Sequence, residues 1–175
     1  MKKLEIVILI ALIGFGICAK AQYEKEYVEI GGVKWATKNI SSTPKIFVSN
    51  MLDKGGYYRQ ADAQEACPSG WRLPYEHEFK RLMNESSKWT GEGVVKGTNW
   101  DAIYLPAAGH RTFDNKGAIK DVGKCGIYWS YELASAIGDA GYTESGIAFA
   151  FLADGKGHIG TFKLWNEYSV RCVKE

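Results

Sequence analysis

A tryptophan, an amide and a carboxylate stand side by side near the C-terminus of this chain, in the string Trp165-Asn166-Glu167. An amide oxygen and a carboxylate can bind calcium together, because this hard cation prefers oxygen ligands. Calcium takes roughly six to eight oxygens, so the two side chains would need partners from converging loops. The carboxylates that could serve are Glu132, Asp139, Glu144 and Asp154. We expect no cofactor and a hairpin rim with a packed tryptophan here, and a calcium site is the alternative.

The six tryptophans of the chain fall into two groups. Trp89 and Trp100 have polar, glycine-rich surroundings, as Trp165 has polar ones. Exposed aromatic side chains bury a large area on a sugar ring or a protein partner at a small entropic cost. We therefore predict a binding face made of Trp89, Trp100 and the string Trp165-Asn166-Glu167. The other three tryptophans lie in apolar runs and are predicted to pack in the core: Trp35, Trp71 and Trp129.

Recognisable catalytic arrangements are nearly absent. His77-Glu78 begins a string of the zinc-protease type, but Arg81 stands where the second histidine ligand is required. Ser69 lacks the glycine two residues before it that a nucleophile elbow needs. We therefore predict no catalytic residues, no metal ligands and no enzymatic activity. An enzyme of unknown type stays open as an alternative.

The N-terminus has the pattern of a secretory signal peptide. Lys2 and Lys3 precede an almost wholly apolar run at residues 4–17, and residues 19–21 (AKA) form a small-x-small cleavage site. The apolar run is shorter than the about 20 residues that a membrane span needs. We therefore predict a signal peptide at residues 1–21, and a mature chain from Gln22 with no membrane span.

Cys18 offers a second interpretation of this segment, which is a lipoprotein signal. A lipid-modified cysteine requires a small residue just before it, and here Ile17 occupies that position. We therefore favour cleavage after Ala21. Export would place the protein in the periplasm, at the cell surface or outside the cell.

Cleavage would also change the charge of the chain. The full chain has 22 basic and 20 acidic residues, and removal of Lys2, Lys3, Lys20 and Glu5 leaves 19 of each. A near-neutral chain lacks the basic surface by which nucleic-acid-binding proteins are recognised, so we expect no nucleic-acid partner. Residues 22–175 suit a single domain with a substantial core.

The hydrophobic pattern predicts an α+β fold with helices early and strands later. Helices are predicted at residues 60–66 and 75–87, the second with Phe79, Leu82 and Met83 on one face. Two glycine turns predict hairpins, at residues 31–32 and 154–157. Long loops are predicted at residues 41–56 and 88–102, and short strands at residues 103–105, 109–113, 117–122, 126–131, 146–153, 158–164 and 168–173.

Five stretches of the chain resemble, in order, those of the Fibrobacter succinogenes major paralogous domain, an extracytoplasmic bacterial module. The stretches are residues 33–40 (VKWATKNI), 67–74 (CPSGWRLP), 105–111 (LPAAGHR), 128–130 (YWS) and 169–174 (SVRCVK). The resemblance covers roughly residues 29–174. The chain departs from the family at Tyr75, where a helix-capping residue is more common, and after Ser130, where a serine or threonine more often follows.

The resemblance implies a fold similar to that of C-type lectins, with two N-terminal helices, an antiparallel sheet and long loops. It also bears on the three cysteines of the mature chain, whose pairing cannot be deduced from their spacing. The resemblance selects a bridge between Cys67 and Cys172. Cys125 is then free, and we expect it to be a small buried apolar residue.

The function that follows from these expectations is non-catalytic binding at the bacterial envelope, to a glycan or to an envelope protein. Family members are often surface or adhesin-like modules, and this resemblance implies the same role here. The alternatives are a structural or accessory subunit of a surface assembly, such as a fimbrial tip, and an enzyme of unknown type. An exposed apolar patch would favour the structural subunit.

Overall fold

The computed structural model describes residues 25–85, 87–90, 97–100, 103–113, 117–135 and 144–175. The predicted signal peptide at residues 1–21 lies outside them. These residues form a mostly β structure with two helices, compatible with the predicted α+β class. The elements are β1 (Tyr27–Ile30), β2 (Val33–Asn39), α1 (Gln60–Gln64), β3 (Trp71–Arg72), α2 (Glu76–Met83), β4 (Ser87–Thr90), β5 (Gly97–Trp100), β6 (Ile103–Pro106), β7 (His110–Arg111), β8 (Ile119–Lys120), β9 (Cys125–Leu133), β10 (Ser145–Leu152), β11 (Gly157–Lys163) and β12 (Arg171–Lys174).

The strands pair into antiparallel sheets in which the last strand closes on the first ones. In the largest sheet the strand order is β1-β2-β12-β3, so β12 lies between two N-terminal strands. The other sheets have the orders β11-β10-β9, β4-β5-β6 and β7-β8. Neither helix in the described part of the chain is long and apolar enough to cross a membrane.

Both predicted glycine hairpins are present. β1 and β2 pair around Gly31 and Gly32, whose φ angles of 57° and 75° lie in the left-handed region that glycine adopts without strain. β10 and β11 pair from Ser145↔Lys163 to Phe151↔Gly157. In the turn between them, the Asp154 carboxylate accepts a hydrogen bond of 2.9 Å from the backbone N–H of Lys156.

Within the predicted loop at residues 88–102, the prediction is wrong for residues 88–90 and 97–100, which the structure describes as strands. Ser87–Thr90 and Gly97–Trp100 are strands, and the second also pairs with Ile103–Pro106. The sequences of these strands have no alternating hydrophobic pattern, so the pairing with each other and with β6 is what identifies them as strands. Both helices are shorter than predicted, and α2 ends at Met83 rather than at residue 87.

In the part of the chain that the structure describes, the core consists of two clusters of buried side chains. One contains Trp129 with α1 and the disulfide, and the other contains Trp35 with Phe79 of α2. Both tryptophans are fully buried, as predicted. Trp71 is only partly buried, and its ring packs edge-on against Phe47 with the centroids 5.3 Å apart.

The disulfide between Cys67 and Cys172 is present. It joins the chain just after α1 to the central strand β12, with a sequence separation of 105 residues and a Cα–Cα distance of 6.0 Å. Cys125 is buried and is the free cysteine of the described residues, as predicted. The bridge therefore ties together parts of the fold that are far apart in the sequence.

Arg171, the neighbour of the disulfide on β12, is wholly buried. Its Nε donates to Asn39 Oδ1 at 2.8 Å, and its two Nη atoms donate to the carbonyls of Ala36 at 2.8 Å and Tyr104 at 3.0 Å. Burial lowers the pKa of Arg171 to about 10, so the guanidinium is still charged at neutral pH. The side chain of Arg171 therefore joins β12 to β2 and β6 by donating to three neutral acceptors.

Two carboxylates cap α2 in place of the residue expected at Tyr75. The Glu78 side chain accepts from the backbone N–H of Tyr75 at 2.7 Å, and the Glu132 carboxylate on β9 accepts from the backbone N–H of Glu76 at 2.9 and 3.0 Å. Both place negative charge at the positive end of the helix. Glu132 is thereby committed to the helix rather than to a calcium site.

Glu78 also pairs with Arg72 of β3, through two bonds of 2.7 and 2.8 Å. Burial by itself would raise the pKa of Glu78, but the Arg72 guanidinium and the Tyr75 amide outweigh it, so the pKa lies below its usual 4.5. A carboxylate with a lowered pKa stabilises the fold above its unfolded-state pKa. This contribution is lost as the pH falls from about 4.5 through the lowered pKa of the folded state.

Glu78→Gln is expected to lower the free energy of unfolding by about 1–3 kcal/mol at pH 7, because it removes the charge-assisted bonds to Arg72. The loss should shrink as the pH falls below about 4.5. Chemical denaturation between pH 3 and 7 measures both effects. The control is Glu76→Gln on the same helix, which breaks a surface pair with Lys80 and should cost less than about 1 kcal/mol. Equal costs for the two variants would contradict this role of Glu78.

Candidate functional site

A cleft of about 190 Å³ lies where three segments distant in the sequence meet. The described residues of its lining contribute two guanidinium groups, one carboxylate and two aromatic rings. Its lining residues are Arg59, Arg111, Thr112, Phe113, Gly117, Trp165 and Glu167.

The segment that precedes β12 builds this cleft, because it bridges two neighbours. Glu167 exchanges backbone hydrogen bonds with Arg111 at 2.9 and 3.0 Å, and Tyr168 exchanges them with Tyr58 at 2.9 Å in both directions. The side chain of Arg59, next to Tyr58, therefore lies beside Glu167. A Cβ at Gly109 would collide with the carbonyl of Lys120, so glycine allows β7 and β8 to approach here.

The charges of the cleft are unequal. The Glu167 carboxylate lies 3.5 Å from Nη1 of Arg111 and 4.0 Å from Nε of Arg59. Both distances exceed the about 2.7–2.9 Å of a strong charge-assisted bond. One loosely held carboxylate therefore faces two guanidinium groups.

Arg111 has further contacts that fix its position. Its guanidinium lies 5.1 Å from the ring centre of Tyr57, whose hydroxyl donates to the carbonyl of Ala108 at 2.5 Å. Burial raises the pKa of Tyr57, although the charge of Arg111 opposes this. Tyr57 is therefore a neutral support on which the guanidinium of Arg111 stacks.

The aromatic residues of the cleft are unusually exposed. Phe113 is 72 % exposed and Trp165 is 40 % exposed. Nζ of Lys163 lies 5.0 Å from the ring centre of Trp165, which adds a positive charge beside the ring. A ligand in the cleft would contact aromatic faces and positive charge together.

The structure distributes the predicted binding residues unevenly. Trp165 and Glu167 line the cleft, whereas Asn166 beside them donates from Nδ2 to the hydroxyl of Tyr168 at 2.9 Å. Asn166 thus supports the turn. Trp89 and Trp100 belong to β4 and β5, but their side chains lie outside the described part of the chain. Their place on a common binding face stays a prediction.

The proposed calcium partners that the structure describes do not converge. Glu144 pairs with Lys163 at 3.4 Å and Asp154 closes its own turn, while Glu132 caps α2. Asp139 lies outside the described residues. Within the part of the chain that the structure describes, histidine, cysteine, aspartate and glutamate side chains form no group of three suited to a metal ion.

Cys125 approaches a histidine that the sequence did not connect to it. Its Sγ lies 4.0 Å from Nδ1 of His110. Burial, together with the charge of Asp121, raises the pKa of the Cys125 thiol to about 11. The thiol is therefore protonated at neutral pH, which is the opposite of an activated nucleophile.

Arg59 and Arg111 are the functional candidates that the sequence analysis missed. Arg59 lies in no motif, and Arg111 ends the stretch at residues 105–111 without a residue pattern that indicates ligand binding. Their proximity depends on the two backbone bridges to residues 167 and 168, which no local pattern announces. A search of known protein families, curated proteins and solved structures finds no match for this chain. The cleft itself is therefore the basis for a functional proposal.

Proposed function

We propose that this protein is a secreted, non-catalytic binding module of the bacterial envelope that recognises a glycan or an envelope protein. The observation that carries the proposal is the cleft in which the exposed ring of Trp165 lies beside Arg59 and Arg111. Exposed aromatic rings and arginines are the residues that most often supply binding energy at recognition sites. The small, open cleft suits a glycan better than it suits the broad surface of a protein partner.

A C-type-lectin-like fold and membership of the Fibrobacter succinogenes major paralogous domain family belong to the same proposal. Two early helices, antiparallel sheets and a bridge that ties the last strand to the end of α1 support it. The disulfide is consistent with export, since disulfides persist mainly in oxidising compartments. We place the mature chain in the periplasm, at the cell surface or outside the cell.

A subunit of a surface assembly is the second candidate function, and one observation favours it. Phe113, Ile119 and Val122 are each more than 40 % exposed and lie within ten residues of one another in the sequence. Exposed apolar side chains in one region can mark a contact with another subunit. Sedimentation of the purified chain over a range of concentrations tests this, and a monomer throughout would argue against self-assembly.

Trp165→Ala is expected to weaken ligand binding about thirtyfold or more, because an aromatic anchor contributes about 2 kcal/mol. The melting temperature should change little, since the ring is 40 % exposed. The measurement is a glycan array on residues 22–175 with and without calcium, followed by titration of the glycan that binds.

The matched control for this variant is Leu152→Ala, which truncates an exposed apolar side chain that does not line the cleft. It should leave the affinity unchanged. Unfolding of the Trp165 variant, or equal affinities of both variants, would contradict a binding role for Trp165.

A further inference from the structure

We infer that the ligand of the cleft is an acidic glycan, whose terminal sugar carries a carboxylate that Arg59 and Arg111 bind. This inference rests on the proposed binding function and narrows its ligand class. The ring of that sugar would lie against Trp165. Uronic and sialic acids share this chemistry.

The balance of charge in the cleft favours an anion. Among the described residues of its lining there are two arginines, Arg59 and Arg111, and one carboxylate, that of Glu167. Lys163 adds a further positive charge beside the ring of Trp165, although the Glu144 carboxylate lies 3.4 Å from Nζ of Lys163. A neutral ligand would leave this excess charge uncompensated, whereas one carboxylate would balance the two arginines together with Glu167.

The contacts among the described residues leave part of the hydrogen-bonding capacity of the two arginines unfilled. Glu167 contacts them at 3.5 and 4.0 Å, which is too long for strong bonds. Nε of Arg111 is buried and has no acceptor among the described residues. Since Arg59 is more than half exposed, its side chain can swing to an incoming group. A planar guanidinium matches a carboxylate through two parallel bonds.

The size and lining of the cleft restrict the rest of the ligand. Its volume of about 190 Å³ is below the about 300–1,000 Å³ of pockets for drug-sized ligands. It therefore suits one ring or one terminal group. The aromatic residues Trp165 and Phe113 offer apolar surface next to the charges. A sugar acid has both required parts, because its ring has an apolar face and its carboxylate is fixed at the edge.

The test compares acidic and neutral forms of the same sugars. Calorimetric titration of residues 22–175 would use a galacturonic acid trimer and its methyl ester, and 3′-sialyllactose and the methyl ester of its sialic acid. At least one acidic probe should bind ten times or more tighter than its neutral counterpart, and the arm in which this occurs identifies the sugar acid. The preference should decrease with added salt.

Two substitutions sharpen the test. Arg59→Met should weaken binding of the acidic probe about tenfold without affecting the melting temperature, because this side chain is exposed. Glu167→Gln should strengthen it several-fold, because it removes the carboxylate that competes for both arginines. The control is Lys80→Met on α2, which removes one positive charge just as Arg59→Met does. Lys80 does not line the cleft, so this variant should leave the affinity for the acidic probe unchanged.

The outcomes separate this inference from the proposed function. If neutral and acidic probes bind equally, or if the glycan array yields only neutral glycans, the binding function stands and the acidic ligand is rejected. If no acidic probe binds, the inference is also rejected. Weaker binding of the acidic probe by the Glu167 variant would show that Glu167 is itself a ligand-binding group, and would overturn the proposed role of the two arginines.

Discussion

Arg171→Leu is expected to lower the free energy of unfolding by about 3 kcal/mol. The substitution removes the donors for Asn39 Oδ1 and for the carbonyls of Ala36 and Tyr104, all at 2.8–3.0 Å in the native protein. Each buried acceptor left without a donor costs about 1–3 kcal/mol. The variant no longer buries a charge, and this gain offsets part of the cost. The expected loss therefore lies near the lower limit of the range summed over the three acceptors. Equilibrium denaturation in urea measures it.

Two further variants isolate the geometry of the guanidinium from its charge. Arg171→Lys keeps the charge but cannot reach three acceptors in a planar fork, and it should cost about 1–3 kcal/mol. Lys174→Leu removes the same charge from the same strand at a partly exposed position, and should change the stability by less than about 0.5 kcal/mol. If Arg171→Leu were as stable as the natural protein, the buried network would not be what joins β12 to β2 and β6.

Cys172→Ala is expected to lower the free energy of unfolding by about 2–5 kcal/mol, the usual range for the loss of a native bridge in a small secreted domain. The physical reason is the closed loop of 105 residues, which restricts the unfolded chain. The measurement is denaturation of the oxidised natural protein and of the variant. Reduction of the natural protein should bring it close to the variant.

The control for the disulfide uses the second cysteine. Cys67→Ala, Cys172→Ala and the double variant should have similar stabilities, since each of them breaks the same bond. Cys125→Ala should retain the bridge, and peptide mapping without reductant should still recover the linked pair. Additive losses in the double variant would show that the two residues stabilise the fold mainly by packing rather than through their bond.

Local sequence patterns predicted much of the fold. Alternating apolar residues around Gly31-Gly32 and around residues 154–157 are sufficient for hairpins, because the turn and the strand pattern both lie within a few neighbouring residues. The apolar face of Phe79 and Leu82 was sufficient for α2 in the same way. The pattern failed at residues 88–90 and 97–100, where β4 and β5 pair with each other although their sequences show no apolar alternation.

The candidate site was only half visible in the sequence. Trp165 and Glu167 were predicted because an exposed aromatic beside a carboxylate is conspicuous in a polar stretch. Arg59 and Arg111 were not, because their role depends on a cleft formed by the backbone bridges of residues 167 and 168. Asn166 was predicted to bind the ligand, but its side-chain amide donates a hydrogen bond to the hydroxyl of Tyr168, two residues away.

The sequence by itself determined the two glycine hairpins, the position of α2, the burial of Trp35 and Trp129, and an even balance of charge in the chain after residue 21. These properties depend on local periodicity or on composition, which folding does not alter. Only the tertiary structure decided that Glu132 caps α2, that Arg171 joins three strands, and that Arg59 and Arg111 meet at one carboxylate. Such contacts depend on the packing of segments more than fifty residues apart, and no pattern within one segment specifies them.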